Sequence, residues 1–239
     1  QEDLFAKASL LNKKLISFGY HHEADLKIKE VKWLKTQKML LSFFWKNKDL
    51  FEIKTPYAHD SLPLNLAAAL ATLLAAGLNK KQIPKNLDNS LASSPGRFYT
   101  LQNKKGTTLI DDSYNASPAS MKSGLLSLNK IYPDRPLILV LGDMLELGEE
   151  STKEHQQIGS LCAKEIKPHI LLTVGEKAQQ IALAAQNEGL AADKITSFKS
   201  VNDILAAKFD FLKEGFVVYL KASHGVNLKK LADNLQKVF

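Results

Sequence analysis

From about residue 96 onward the chain repeats one pattern: a short apolar run, then a loop, then a stretch with helical apolar spacing. The runs fall at 108–110, 137–141, 170–174, 195–198 and 216–220. Short continuous apolar runs that alternate with amphipathic helices are the signature of a parallel sheet buried on both faces, because the crossover helices cover it. A three-layer α/β domain is therefore expected. In such a domain ligands sit beyond the carboxyl ends of the strands, which directs attention to the loops after Ile110, Leu141, Val174 and Leu220.

Two helix starts are written into this half. Ser117-Pro118 precedes a helical pattern at 119–129, and Ser151-Thr152-Lys153-Glu154 has the form of a capping box before a helix reaching Ile166. The first 60 residues read differently. Apolar runs at 14–18, 39–45 and 50–53, the last two flanking Lys46-Asn47-Lys48-Asp49, predict strands and a hairpin. Residues 61–91 read as helical, with Ser61 as N-cap, Pro63 in the first turn and Gly77 at the stop. Ser93-Ser94-Pro95-Gly96 is the best boundary, giving segments 1–95 and 96–239.

Composition narrows the classes. With 45% hydrophobic and 24% charged residues the chain is globular rather than disordered or fibrous. The longest mostly apolar stretch, 62–78, is too short for a bilayer span and contains Pro63, Asn65 and Thr72. A lone Cys162 excludes an internal disulfide framework and a cysteine zinc site. The start, Gln1-Glu2-Asp3, has neither a signal-peptide pattern nor an initiator methionine. A cytoplasmic protein, without membrane contact and present here as a fragment, is the expectation. The net charge is +7, and eight lysines fall between Lys27 and Lys54, interleaved with Trp33, Met39, Phe43, Phe44 and Trp45. That segment is either the solvated face of a sheet or a surface for anionic ligands such as nucleic acid.

Three strand-end loops carry the chemistry. Asp111-Asp112-Ser113-Tyr114-Asn115-Ala116-Ser117-Pro118 brings two carboxylates, a phenol and an amide to a helix N-terminus, where ribose hydroxyls, a cation or an anion would be held. The same residues also make ordinary Asx and Ser/Thr capping turns. Leu141-Gly142-Asp143-Met144-Leu145-Glu146-Leu147-Gly148 places two carboxylates between glycines, as a binding loop or a tight turn. Lys221-Ala222-Ser223-His224-Gly225 supplies a cation, a hydroxyl and an imidazole, a set that suits a carboxylate or phosphate, or one that is simply solvated.

In this order, and together with Ser94-Pro95-Gly96-Arg97-Phe98, these strings resemble the ATP-dependent Mur ligases of bacterial cell-wall synthesis, over roughly residues 61–239. The resemblance implies a UDP-substrate domain, a central ATPase domain and a Rossmann-like C-terminal domain. It places residues 1–95 in the second half of the central domain and 96–239 in the C-terminal domain. No Gly-x-x-Gly-Lys-Thr string occurs, so the P-loop and most ligands of Mg2+ would lie upstream and this chain alone would be inactive. The implied reaction activates a peptide carboxyl with ATP as an acyl phosphate, which the incoming amine attacks. The loop wording points to the ligase that joins D-alanyl-D-alanine to UDP-N-acetylmuramoyl-tripeptide, acting as a monomer.

By position, the resemblance assigns Asn65, Arg97, Asp112 and Asn115 to the nucleotide, with Asp112 on the ribose. It assigns Asp143, Lys221, Ser223 and His224 to the dipeptide's carboxylate and amine. Catalytic residues stay unassigned, and no metal ligand is named beyond Lys27, a position some family members carbamylate. Two departures stand out. The family's histidine four residues before the helix asparagine is replaced by Ser61, with His59 two residues earlier, and a usual Lys-Gly-Ser-Arg is here Lys221-Ala222-Ser223-His224. A non-catalytic nucleotide- or peptide-binding fragment, or a basic nucleic-acid-associated α/β protein, are the competing readings.

Overall fold

The computed structural model describes residues 7, 10, 15–34, 38–87, 94–211 and 213–239. Gln1-Glu2-Asp3, Lys14, Lys35 and Ser93, which figure in the sequence reading, lie outside the described residues. The chain divides into two compact units, Gln1–Leu91 and Ala92–Phe239.

The first unit holds a four-stranded sheet of β1 (Phe18–Gly19), β2 (Leu26–Leu34), β3 (Lys38–Trp45) and β4 (Asp49–Lys54), in that order. β1 pairs parallel to β2, whereas β2, β3 and β4 form antiparallel ladders. The hairpin forms at 46–48, where Lys46 and Asn47 both take left-handed φ, the backbone that matches strand twist in a tight hairpin. Leu26, Ile28, Met39, Leu41, Phe43 and Ile53 are buried, while Lys29, Lys32 and Lys54 are exposed. The lysines thus stand on the wetted side of the strands. Helix α1 (Leu62–Ala75) starts after Ser61 and stops before Gly77, whose φ of +96° is the left-handed C′ geometry that glycine supplies. Ser61 makes no side-chain cap, because its own φ and ψ are already helical. The helix thus stops where Gly77 predicts, and beyond it, in the described part of 76–91, a 3-10 turn at Lys80–Gln82 follows in place of the helical reading that ran to 91.

The second unit is a three-layer α/β domain. Its strands are β5 (Tyr99–Gln102), β6 (Thr108–Asp111), β7 (Leu137–Gly142), β8 (Ile170–Val174), β9 (Ile195–Phe198) and β10 (Val217–Lys221). They lie in the order β5-β6-β10-β7-β8-β9. Five are parallel, but β5 pairs antiparallel with β6, an edge strand that the reading of an all-parallel sheet missed. On one face α2 (Pro118–Ile131), α3 (Ser151–Leu161) and α4 (Gln179–Asn187) pack on Ile110, Leu139, Leu141, Leu171 and Tyr219. On the other, α5 (Val201–Ala206) and α6 (Lys229–Gln236) cover Leu109, Ile138, Val140, Leu172 and Leu220. Alternate residues of one strand feed opposite layers, so each strand reads as continuously apolar.

Ser117 caps α2 as expected, extended at φ −131° and accepting from the Ser120 N–H. The capping box at Ser151 does not form. A 3-10 turn at Gly148–Glu150 runs straight into α3, so Ser151 is itself helical, and Glu154 has no cap to answer. The helix also ends as α at Leu161, continuing to Ile166 as a π turn. Among the described residues no helix is long and apolar enough to cross a membrane.

Two packing details give tests. A Cβ at Gly124 of α2 would overlap the hydroxyl of the fully buried Tyr219. Gly124→Ala should therefore cost about 1–3 kcal/mol by overpacking, despite the ~1 kcal/mol gain in helix propensity. The cost should shrink in a Tyr219→Phe background, as denaturant unfolding will show. Cys162 is buried and its thiol is pushed up to about 12 by desolvation. At pH 8 it should alkylate only at the rate of unfolding, so rapid labelling of the native protein would contradict this packing.

Candidate functional site

The site is decided by one step of topology. β10, last in the chain, inserts between β6 and β7, with Leu220 beside Asp111 and Lys221 beside Leu141. Three chemically rich loops therefore share neighbouring strand ends, at the place where the strand order reverses. In the centre, Lys221 is 3% and Asp112 9% exposed. The Lys221 ammonium donates to Asp112 Oδ2 at 2.7 Å and to the Asn115 carbonyl at 3.1 Å. The Tyr219 hydroxyl donates to the same carboxylate oxygen at 2.8 Å, and the Phe98 N–H donates to Oδ1 at 3.1 Å. Burial, then the charge of Asp112, holds the Tyr219 phenol well above its usual range, so it stays a donor.

Around this pair the loops tie to one another. The Leu145 N–H donates to Ser223 Oγ at 2.9 Å, Ser223 Oγ donates to the Ala116 carbonyl at 3.1 Å, and the Ser223 N–H donates to the Asp143 carbonyl at 2.9 Å. Asp143 Oδ1 accepts from the Ala178 N–H at 2.6 Å, and Gly175 leaves the room that its carboxylate needs. His155, wholly buried on α3, accepts the Met144 N–H at Nε2, 2.9 Å away, and donates from Nδ1 to the Ser151 carbonyl at 2.6 Å. The acceptor role of Nε2 fixes the neutral Nδ1–H tautomer. Asp111 braces the segment before β5. Its Oδ2 accepts from the Gly96 N–H at 3.1 Å, and its Oδ1 from both the N–H and hydroxyl of Ser113.

The residues singled out in the sequence thus separate by burial. Asp112, Lys221 and Ser223 are interior and bonded to each other's loops, and Asp143 is half-buried. Arg97, Asn115 and His224 are exposed at the same strand ends, with Tyr114 among them. Arg97 stacks on Tyr114, its Cζ 4.2 Å from the ring centroid, and His224 meets the ring edge-on at 6.1 Å. Asn65 belongs to the first unit, exposed on the first turn of α1. There Ser61 stands four residues before Asn65, beside His59. Since His59 Nδ1 accepts from the Ser61 N–H, the Ser61 hydroxyl donates to it at 2.8 Å and accepts the Asn65 amide at 3.4 Å. Lys27 is half-buried on β2 opposite Phe44. No cluster of three or more His, Cys, Asp or Glu side chains gathers among the described residues. Sequence reasoning left Asp111, Tyr114, Tyr219 and His155 unassigned. The first two sit inside the quoted loop, but Tyr219 and His155 lie in apolar or helical runs with no local signal.

A profile of the family described as "Mur ligase, glutamate ligase domain" matches residues 96–224, more than half of the chain, and the chain belongs to the Mur ligase family. Among its curated relatives one name recurs, UDP-N-acetylmuramoyl-tripeptide–D-alanyl-D-alanine ligase. That of Mycobacterium tuberculosis (strain H37Rv) is 31% identical over 200 residues, covering 77% of this chain and 39% of the relative. That of Rickettsia prowazekii is 29% identical over 226 residues, covering 93% and 47%. The chain spans less than half the length of these relatives. In fold it resembles the MurF ligase of Thermotoga maritima solved in complex with ADP, with TM-score 0.73, 24% identity, and coverage of 99% of this chain and 52% of that one. It also resembles MurF from Acinetobacter baumannii, with TM-score 0.74, 22% identity, and coverage of 98% and 50%.

Breaking a buried pair by removing one partner leaves an uncompensated charge and costs about 3–5 kcal/mol. Lys221→Met should destabilise the second unit by that much, and Asp112→Asn/Lys221→Met by less than the sum of the two single changes. Lys153→Ala, which breaks an exposed pair with Glu150, should leave stability unmoved. Equilibrium unfolding in urea measures the wild type and these four variants, Asp112→Asn included, and a near-neutral Lys221→Met would place that ammonium in water rather than in the pair.

Proposed function

We propose that the chain is part of an ATP-dependent ligase that joins D-alanyl-D-alanine to UDP-N-acetylmuramoyl-tripeptide in peptidoglycan synthesis. Residues 1–95 correspond on this reading to the second half of the central ATP-binding domain, and 96–239 to the Rossmann-like C-terminal ligase domain. The observation that carries it is the meeting of the three loop strings at adjacent strand ends, bonded together by Lys221 and Ser223. The recurring name of the relatives and the ADP bound to the Thermotoga neighbour support the same reading.

ATP transfers its γ-phosphoryl group to the tripeptide's terminal carboxylate, releasing ADP and leaving an acyl phosphate; the dipeptide amine attacks that carbonyl, loses a proton and expels inorganic phosphate, and the amide forms. What this chain contributes is orientation, the term that turns a many-body encounter into a unimolecular step. Arg97 and Asn115 present a guanidinium and an amide to the nucleotide from the second unit. His224 faces the dipeptide. Asp112, keyed to the ribose, and Lys221, keyed to the dipeptide carboxylate, reach ligands only through the hydrogen-bonding positions that their mutual pair leaves over. Ser223 and Asp143 hold the loops that frame both. The carboxylates of Asp112 and Asp143 are engaged by lysine, tyrosine and backbone N–H groups, so they make a poor ligand set for Mg2+, and no step is assigned to a metal on this chain. The protein is taken to work in the cytoplasm as a monomer.

The family description favours a second reading, in which the acceptor is glutamate rather than a dipeptide. The two separate in one assay. In a protein that joins this chain to a P-loop-bearing half, ADP release should require both UDP-N-acetylmuramoyl-tripeptide and D-alanyl-D-alanine, with glutamate giving none. The 239-residue chain alone should turn over no ATP above background, and turnover by it would sink the assignment of the missing phosphate loop.

A further inference from the structure

We propose that Tyr114 is a positioning residue that aims Arg97, making the pair a preset anion receptor at the strand ends. The proposal rests on the reading above, in which Arg97 meets the nucleotide, and takes its phosphates as the anion. It goes beyond that reading by naming what holds the guanidinium.

The backbone around Arg97 is unusual. Gly96 has φ +78°, and Phe98, bulky and buried, has φ +55°, a conformation that β-carbon sterics make rare for such a residue. Two aspartates enforce it. The Gly96 N–H donates to Asp111 and the Phe98 N–H to Asp112. Between these anchored neighbours the Tyr114 N–H donates to the Gly96 carbonyl at 2.9 Å, and a Cβ at Gly96 would press on Tyr114 Cβ at 3.1 Å. The loop before β5 is thus clamped onto the loop after β6. The product of this clamping is a guanidinium laid over an aromatic face 4.2 Å away.

A large aromatic side chain that stays 50% exposed while stacked on a cation is poorly explained by core packing. Face stacking occupies the π surface of the guanidinium and leaves its N–H edge for a bidentate anion, and it removes rotamer freedom before the anion arrives. A ring suffices for this; the phenol hydroxyl does not enter. Hence Tyr114→Phe should preserve the effect and Tyr114→Leu should abolish it.

The test uses the 239-residue chain and inorganic triphosphate, titrated by NMR, with five proteins: wild type, Arg97→Ala, Tyr114→Phe, Tyr114→Leu and Arg97→Ala/Tyr114→Leu. The Arg97 side-chain protons should lie upfield from the ring current in wild type and Tyr114→Phe, and return to ordinary values in Tyr114→Leu. Triphosphate Kd should rise roughly tenfold in Arg97→Ala and severalfold in Tyr114→Leu, stay within about twofold in Tyr114→Phe, and rise no further in the double variant than in Arg97→Ala. If Arg97→Ala binds like wild type, or wild type does not bind, the reading of Arg97 as the anion contact fails and takes the proposal with it. If Arg97→Ala weakens binding but Tyr114→Leu does not, or if the double variant shows additive losses, Arg97 stands and the positioning role of Tyr114 is overturned.

Discussion

The buried ion pair of Lys221 with Asp112 is the constraint on which the second unit's strand-end architecture depends. A charge taken out of water is tolerated only when its partner and its remaining hydrogen-bonding positions are supplied. Here that demand recruits Tyr219, the Phe98 N–H and the Asn115 carbonyl, which with the pair itself make five groups from three separate stretches of chain. Meeting it fixes where the segment before β5 lies, how the loop after β6 turns and how far β10 extends. Gly124 belongs to the same constraint, because the tyrosine hydroxyl needs the volume a side chain there would fill.

On the proposed function, loops that do not need to be ordered by the substrate are an advantage, since any ordering at that moment would subtract from binding. The ties between loops fit that need. Ser223 and Asp143 knit the loops after β6, β7, β8 and β10 to each other. His155 secures the loop after β7 from beneath, as a neutral imidazole with both nitrogens engaged. The groups left at the surface, Arg97, Tyr114, Asn115 and His224, are then few, polar or planar, and mounted on a rigid base.

The two positions at which the sequence led one to expect other residues, Ser61 and His224, lie in different surroundings. In the first unit the Ser61 hydroxyl relays between the His59 imidazole and the Asn65 amide. In the second unit the His224 imidazole meets the Tyr114 ring edge-on. Arg97 lies with its guanidinium over the Tyr114 ring at the same strand ends.

What the sequence determined by itself was local. The apolar runs marked β6 to β10, because a strand buried on both faces must be apolar throughout, and Ser117-Pro118 marked the start of α2, because an extended hydroxyl followed by a fixed φ initiates a helix. The loop strings were legible as chemistry, although their division of labour was not. Tertiary structure decided the rest. β5 escaped notice because Tyr99–Gln102 is a short edge strand, half wetted and alternating. Ser151 reads as a cap yet sits inside a helix, since the preceding turn propagates into it. The pairing of Lys221 with Asp112 spans 109 positions. It arises only because the last strand returns to lie between β6 and β7, and no local pattern encodes which neighbours a strand will choose.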